Sequence, residues 1–156
     1  MRIAICAVGR LKGSPEGALV ADWLTRFDRT GRAIGLGPAR VIEVEDRRGG
    51  GPAAEAALLA AAIPAGAAVC ALDERGAALD SPGFARLIAR WRDDGRRDAA
   101  FLIGGADGLD PALRARADQI LSLGPMVWPH RLVRAMLAEQ LYRAATILAD
   151  GPYHRG

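Results

Sequence analysis

Two stretches of the chain pair residue types that suit ligand chemistry. "FLIGGADGLD" (101–110) sets Gly104, Gly105 and Gly108 between an apolar run and a proline-opened segment, and glycines let a ligand approach the backbone closely. "SLGPMVWPH" (122–130) is apolar where connecting segments are normally polar. It either packs under neighbouring helices or forms a pocket wall, in which backbone groups of Gly124, Pro125, Met126, Val127, Trp128 and Pro129 read a ligand's polar edge. Adenine suits such a wall. The tip, "DGPYHRG", raises a further question. The chain has only two tyrosines and two histidines, and one of each, Tyr153 and His154, stands within four residues of its end. Chain ends are usually poorly ordered. The other histidine, His130, starts the same final segment, so both ends of that segment are candidates for one site. Taken alone, His130 also reads as a capping or solvent-facing residue, Glu139 as a surface or dimer-edge carboxylate, and Arg134 and Arg143 as solvated arginines with their stems on apolar surface.

The elements that must position these residues alternate in kind. Short apolar runs at Ile3–Val8, Val41–Val44, Ala67–Leu72, Ala99–Ile103 and Ile120–Leu123 read as buried strands. Between them lie helical patterns: Leu19, Val20, Trp23, Leu24 and Phe27 after Ser14-Pro15, an alanine-rich stretch at Ala53–Ile63, and Phe84, Leu87, Ile88 and Trp91 after Ser81-Pro82. Asp110-Pro111 opens a short helix. A last helix runs from about Arg131 to Leu148, striped by Leu132, Met136, Leu137, Leu141, Ala144 and Leu148. This alternation predicts one α/β domain over residues 1–156, with a mostly parallel sheet. Ligands of such sheets bind beyond the carboxyl ends of the strands, which here end in "ALDERG", "FLIGGADGLD" and "LSLGPMVWPH".

Composition narrows the classes. With 156 residues, 51% hydrophobic and 25% charged, the chain can bury a core and is not a disordered protein. No apolar run reaches the roughly 18 residues of a membrane span. The N-terminal run reads as a strand rather than a signal peptide, so a cytoplasmic protein is expected. Cys6 and Cys70 sit inside apolar runs as small core residues, and no Cys/His spacing suggests a metal site. The net charge of +3 permits an anionic partner without demanding one. "RRGGGP" (47–52) reads as a solvated connection. The glycine spacing fails the dinucleotide fingerprint, and no phosphate-binding P-loop sequence occurs.

"AVGRLKG" (7–13), "FLIGGADGLD", "LSLGPMVWPHRLVRAMLAEQLYRA" (121–144) and "PYHR" (152–155) together resemble the RlmH family of ribosomal RNA large-subunit methyltransferases. The resemblance covers nearly the whole chain. It implies a SPOUT-type fold, with helices on both faces of the sheet and a C-terminal trefoil knot, an exception to the rule against threaded chains. It implies a homodimer that transfers methyl from S-adenosyl-L-methionine to N3 of a pseudouridine in helix 69 of 23S rRNA, on the assembled ribosome. The cofactor positions carried over are Leu72, Asp73, Gly104, Gly105 and the loop Gly124–Pro129. Related loops carry hydroxyl residues where Gly124 and Val127 stand, so backbone rather than side-chain contacts are expected there. The resemblance places the tail near cofactor and target base, with Tyr153 stacking on or positioning a base, His154 handling a proton and Arg155 pairing with phosphate; His130 completes the catalytic candidates. The competing classes are a non-catalytic RNA- or ribosome-binding α/β protein and a flavodoxin-like nucleotide-binding domain.

Overall fold

Every strand of this protein is parallel to its neighbours. The computed structural model describes residues 1–47 and 49–154, so the expectation for Arg155 lies outside the described residues. Strands β1 (Arg2–Val8), β2 (Ala39–Val44), β3 (Ala68–Ala78), β4 (Asp98–Ile103) and β5 (Gln119–Ser122) form one sheet in the order β2-β1-β4-β3-β5. Each is followed by a helix: α1 (Pro15–Gly31), α2 (Gly51–Ala62), α3 (Ser81–Asp93), α4 (Pro111–Ala115) and α5 (His130–Leu148).

Helices cover both faces, and the two-residue period of the strands shows how. Ile3, Ile5 and Ala7 of β1 belong to the core shared with α1, α3 and α5. Ala4, Cys6 and Val8 point the other way, toward Leu59 of α2 and Leu113 of α4. β1 and β4 are therefore buried on both sides and read as continuous apolar runs. Both cysteines are fully buried, and burial pushes the Cys6 thiol up to about 11 and the Cys70 thiol to about 12, as expected for inert core residues.

Helix starts follow from their caps. Ser14 accepts a hydrogen bond from the Gly17 N–H at 3.1 Å, and Asp110 accepts from the Ala112 N–H at 2.8 Å. For α3 the cap is Asp80, which accepts from the Gly83 N–H at 2.6 Å, rather than the expected Ser81. Ser81 is already helical and donates instead to Gln140 on α5 at 2.8 Å.

Two elements differ from expectation. β3 continues through the charged "DERG" to Ala78, shifting register against β5 between Leu72 and Ala77. Gly76 permits this: a Cβ there would lie 2.7 Å from the backbone of Ile120 and Leu121. The stripe of α5 also divides. Leu137, Leu141 and Ala144 enter the protein's own core, whereas Leu132 is exposed and Met136 half-buried. No helix among the described residues is long and apolar enough to cross a membrane.

Candidate functional site

At the carboxyl end of the sheet, the exits of β3, β4 and β5 converge on a cleft of about 610 Å³. Leu72, Asp73, Gly104, Gly105, Gly124, Met126, Val127, Trp128 and Pro129 all line it, together with His130. Of the expected cofactor residues, only Pro125 does not. Met126 and Val127 are 67% and 81% exposed, so the apolar loop does not pack under neighbouring helices. It stands open along the cleft.

The strand ends are built for close approach. Gly104 lies so near the returning turn that a Cβ would fall 2.2 Å from the Gly108 carbonyl oxygen. Gly108 takes φ +78°, and its N–H donates to the Gly105 carbonyl at 3.2 Å. Gly105 itself is not in the left-handed region; a Cβ there would meet the Glu55 carboxylate at 3.0 Å and Val8 Cγ1 at 3.2 Å, so the space beside Gly105 is occupied by protein. Gly124 takes φ +115° and is held by Ser122, whose hydroxyl accepts from the Gly124 N–H at 3.1 Å and donates to its carbonyl at 2.9 Å.

Asp73 is tied into the cleft wall. It accepts from Arg114 of α4 at 2.6 Å and from the Arg75 N–H at 2.9 Å. Burial alone would raise its carboxyl, but these two hydrogen bonds and the charges of Arg114 and Arg75 outweigh burial and hold it below the usual range. A depressed carboxyl stabilises the fold fully above its unfolded value of about 3.9 and loses that contribution as pH falls through the lower folded value. Asp73→Asn should therefore lower the unfolding midpoint at pH 7 and flatten its decline below about pH 4. Thermal melts across that range check this, and an unchanged decline would remove the pair from the acid response. Arg114 was not among the sequence candidates; the one available signal was the need of a strand-end carboxylate for a cation.

His130 is the first residue of α5, and the cap position before it is Pro129, so its side chain does not cap the helix. Burial first, then the charges of Arg134 and Arg131, hold its imidazole below the usual value. Arg134, expected to be solvated, is fully buried.

The tail is packed elsewhere. Tyr153 donates to Glu139 at 2.9 Å, its ring lies 4.7 Å from that of Tyr142 and 6.0 Å from that of Trp23, and the Arg143 guanidinium sits 4.7 Å above it. Glu139 is thus no free surface carboxylate, and Arg143 binds it at 2.6 Å. The His154 Nδ1 is buried and unpartnered. Positions 139 to 143 lie about 14–20 Å along the helix axis from His130. Tyr153 and His154 do not line the cleft of their own chain, so the two ends of the segment do not meet within one subunit. Glu139 instead borders a second, apolar concavity of about 760 Å³ between α1, α3 and α5. That concavity is the larger, but of the strand-end glycines it holds only Gly124, and it lacks Gly104, Gly105 and the Asp73–Arg114 pair, so the smaller cleft is the better candidate for chemistry.

A parallel sheet with a glycine-walled cleft at its carboxyl edge places the chain in a class, and the family comparison names that class: residues 1–154 match the family described as "Predicted SPOUT methyltransferase". Two solved structures share the fold. A "Probable Methyltransferase" from Bordetella pertussis aligns at a TM-score of 0.52 and 17% identity over 92% of this chain and 96% of that one. A "probable methylase family protein" from Haemophilus influenzae aligns at 0.53 and 11%, over 99% and 70%. Among curated relatives, the protein named "Ribosomal RNA large subunit methyltransferase H" is 68% identical in Ruegeria pomeroyi and 66% identical in Dinoroseobacter shibae, over 99% of both chains in each case. The chain belongs to the RlmH family of SPOUT methyltransferases.

Proposed function

We propose that this protein transfers methyl from S-adenosyl-L-methionine to N3 of a pseudouridine in helix 69 of 23S rRNA, on the assembled ribosome in the cytoplasm, as a homodimer with its C-terminal segment threaded as a trefoil knot. The observation that carries the reading is the convergence of the carried-over positions on one cleft. Its chemistry suits the cofactor. Met126, Val127 and Trp128 offer an apolar wall for adenine, and Glu74 and Asp107 line the same cleft as counter-charges for a cationic donor, beside the closed Asp73–Arg114 pair. The donor supplies a methyl group already activated on a sulfonium.

What remains for the protein is positioning and one proton. The glycine turn and the 124–129 loop fix the donor's orientation, which is where most of the rate enhancement of such a transfer arises. The N3 proton leaves as the new bond to carbon forms. The His130 imidazole at the cleft edge, whose protonated form is disfavoured by burial, can accept it or hold the base for its loss. The apolar concavity, edged by Leu19, Leu79 and Leu132, each 38–48% exposed, supports a two-fold partner on that face.

Calorimetric titration with S-adenosylhomocysteine, paired with methylation of ribosomes lacking this modification, tests the reading. Binding heat together with methyl incorporation at one pseudouridine is expected. Absence of heat at millimolar ligand would overturn the cofactor assignment, and incorporation elsewhere would overturn the substrate.

A further inference from the structure

Arg134 stands one turn beyond His130 on α5, is fully buried, and serves no ligand-facing wall. Its Nη1 donates to the Gly9 carbonyl at 3.0 Å and lies 3.3 Å from Glu43 Oε1, and its Nη2 donates to the Val8 carbonyl. Its Nε has no partner. An interior guanidinium with an unpaired nitrogen is a costly way to fill helix volume, and well-packed apolar residues often do so with no loss of stability. Leu137 and Leu141 do it further along the same helix.

The carbonyls that Arg134 ties are those at which β1 ends, inside "AVGRLKG", a singled-out motif with no part in the cleft. Gly9 takes φ +83°, and a Cβ built there would lie 3.6 Å from Arg134 Nη2 and 3.7 Å from His130 Nε2. Two side chains from successive turns of α5 thus converge on one bare Cα. Glu43 of β2 closes the cluster, since its Oε1 also accepts from the Leu11 N–H at 2.8 Å. β1, β2 and the start of α5 are joined at a single buried charge, directly beside the imidazole that edges the cleft.

We propose that Arg134 is a positioning residue for methyl transfer: by tying the end of β1 to the first turns of α5 it fixes the His130 imidazole over Gly9 at the edge of the cleft. The proposal rests on the reading of that cleft as the methyl-transfer site. The charged groups acting on His130 are Arg131 and Arg134 from its own helix, with Glu43 of β2 reaching it through Arg134 and Glu16 of α1 through Arg131. Asp73 and Arg114 line the same cleft as a closed pair, together with Glu74, Arg75 and Asp107. A cation beside an imidazole disfavours its protonated form, so removing Arg134 raises the His130 pKa.

The test is the double variant Arg134→Met/Glu43→Gln, which removes both charges and roughly keeps their volume. Three quantities are read: the His130 ring titration by NMR without substrate, S-adenosylhomocysteine affinity by calorimetry, and the pH profile of kcat/KM on ribosomes. The expected result is a folded protein with affinity within about threefold of native, a His130 titration moved to higher pH, and turnover at pH 7 reduced about tenfold with the acid limb displaced in step. A merely structural role would lower the melting temperature and leave the turnover of the folded protein native. Should the double variant not fold, Arg134→Lys carries the test, because it keeps the charge and loses the fork of donors: the His130 titration stays near native while turnover falls about threefold. A folded double variant, or a folded lysine variant, with native turnover overturns the proposal, as does a double variant whose His130 titrates as before. Failure of the underlying reading is separate and visible in the native protein, as absent cofactor heat.

Discussion

Tyr153→Ala should lower methyl transfer about 100-fold while leaving S-adenosylhomocysteine affinity nearly unchanged. The tyrosine is the anchor that holds the segment leading to His154 against α1 and α5. Its ring is seated between Tyr142 and the Arg143 guanidinium, each 4.7 Å away, and its hydroxyl donates to Glu139. Burial first, and then Glu139, raise the phenol above its usual value, so the hydroxyl stays a donor at every physiological pH. Alanine removes the ring contacts and the hydrogen bond together and frees His154, the next residue. Tyr153→Phe keeps the ring, and Glu139 retains Arg143 at 2.6 Å and Gln140 at 2.8 Å, so a loss of only about threefold is expected. Single-turnover methylation of ribosomes beside calorimetry separates the two effects. Full turnover by the alanine variant would show that the tail's order is irrelevant to the reaction. Within one chain the tyrosine packs about two and a half to three and a half helical turns from His130, so a tail that serves catalysis is expected to serve the partner's cleft. Mixing tail-truncated subunits with cleft-defective ones should then restore activity, and confirmed mixed dimers without activity would exclude the exchange.

The sheet was legible because β1 and β4, buried on both faces, have no polar alternation to hide them. Their runs were read within a residue of the observed bounds. β3 was cut short at Leu72 for the opposite reason: the charged Asp73, Glu74 and Arg75 fall in the register shift, and the pairing that resumes at Ala77 depends on Gly76 lying flat against β5. Backbone contacts of that kind leave no side-chain pattern. The cleft was legible at its glycines and its apolar loop, since both break the usual chemistry of strand–helix connections. Arg134 was not. Nothing near it in sequence announces that two strand-end carbonyls and Glu43, about 90 to 125 positions earlier, will enclose it. The tail shows the same division. Its composition marked it as unusual, but the rings that hold it, Trp23 and Tyr142, come from helices that each read as amphipathic on their own.

The glycines of "IGGADG" also read alike in sequence and differ in the fold, which sets the second large effect. Gly104→Ala should abolish detectable S-adenosylhomocysteine binding and lower stability by about 3 kcal/mol, at the upper end of overpacking costs. The added methyl would lie 2.2 Å from the Gly108 carbonyl oxygen, 2.4 Å from its carbon and 2.8 Å from the Leu109 nitrogen. All three are backbone atoms, so no rotamer change relieves the clash. The turn itself must move, opening the contact between Gly105 and Gly108 and displacing the rim that faces Trp128 and His130. Gly105→Ala is the control. Its methyl would meet chiefly the Glu55 carboxylate, the far end of a flexible side chain, at 3.0 Å. Glu55 is pushed up by burial, and further by Asp107 and Asp46, so it yields its place at little cost. A stability loss below about 1 kcal/mol and binding reduced less than about tenfold are expected there, since Gly105 does not need a left-handed backbone. Denaturant unfolding of both variants gives the stability terms, and calorimetry on the folded fraction gives the binding. The ordering is what matters: if alanine at 105 proves as damaging as alanine at 104, the cleft depends on a bare Cα facing the ligand at Gly105, and the close turn at Gly104 is not what shapes it.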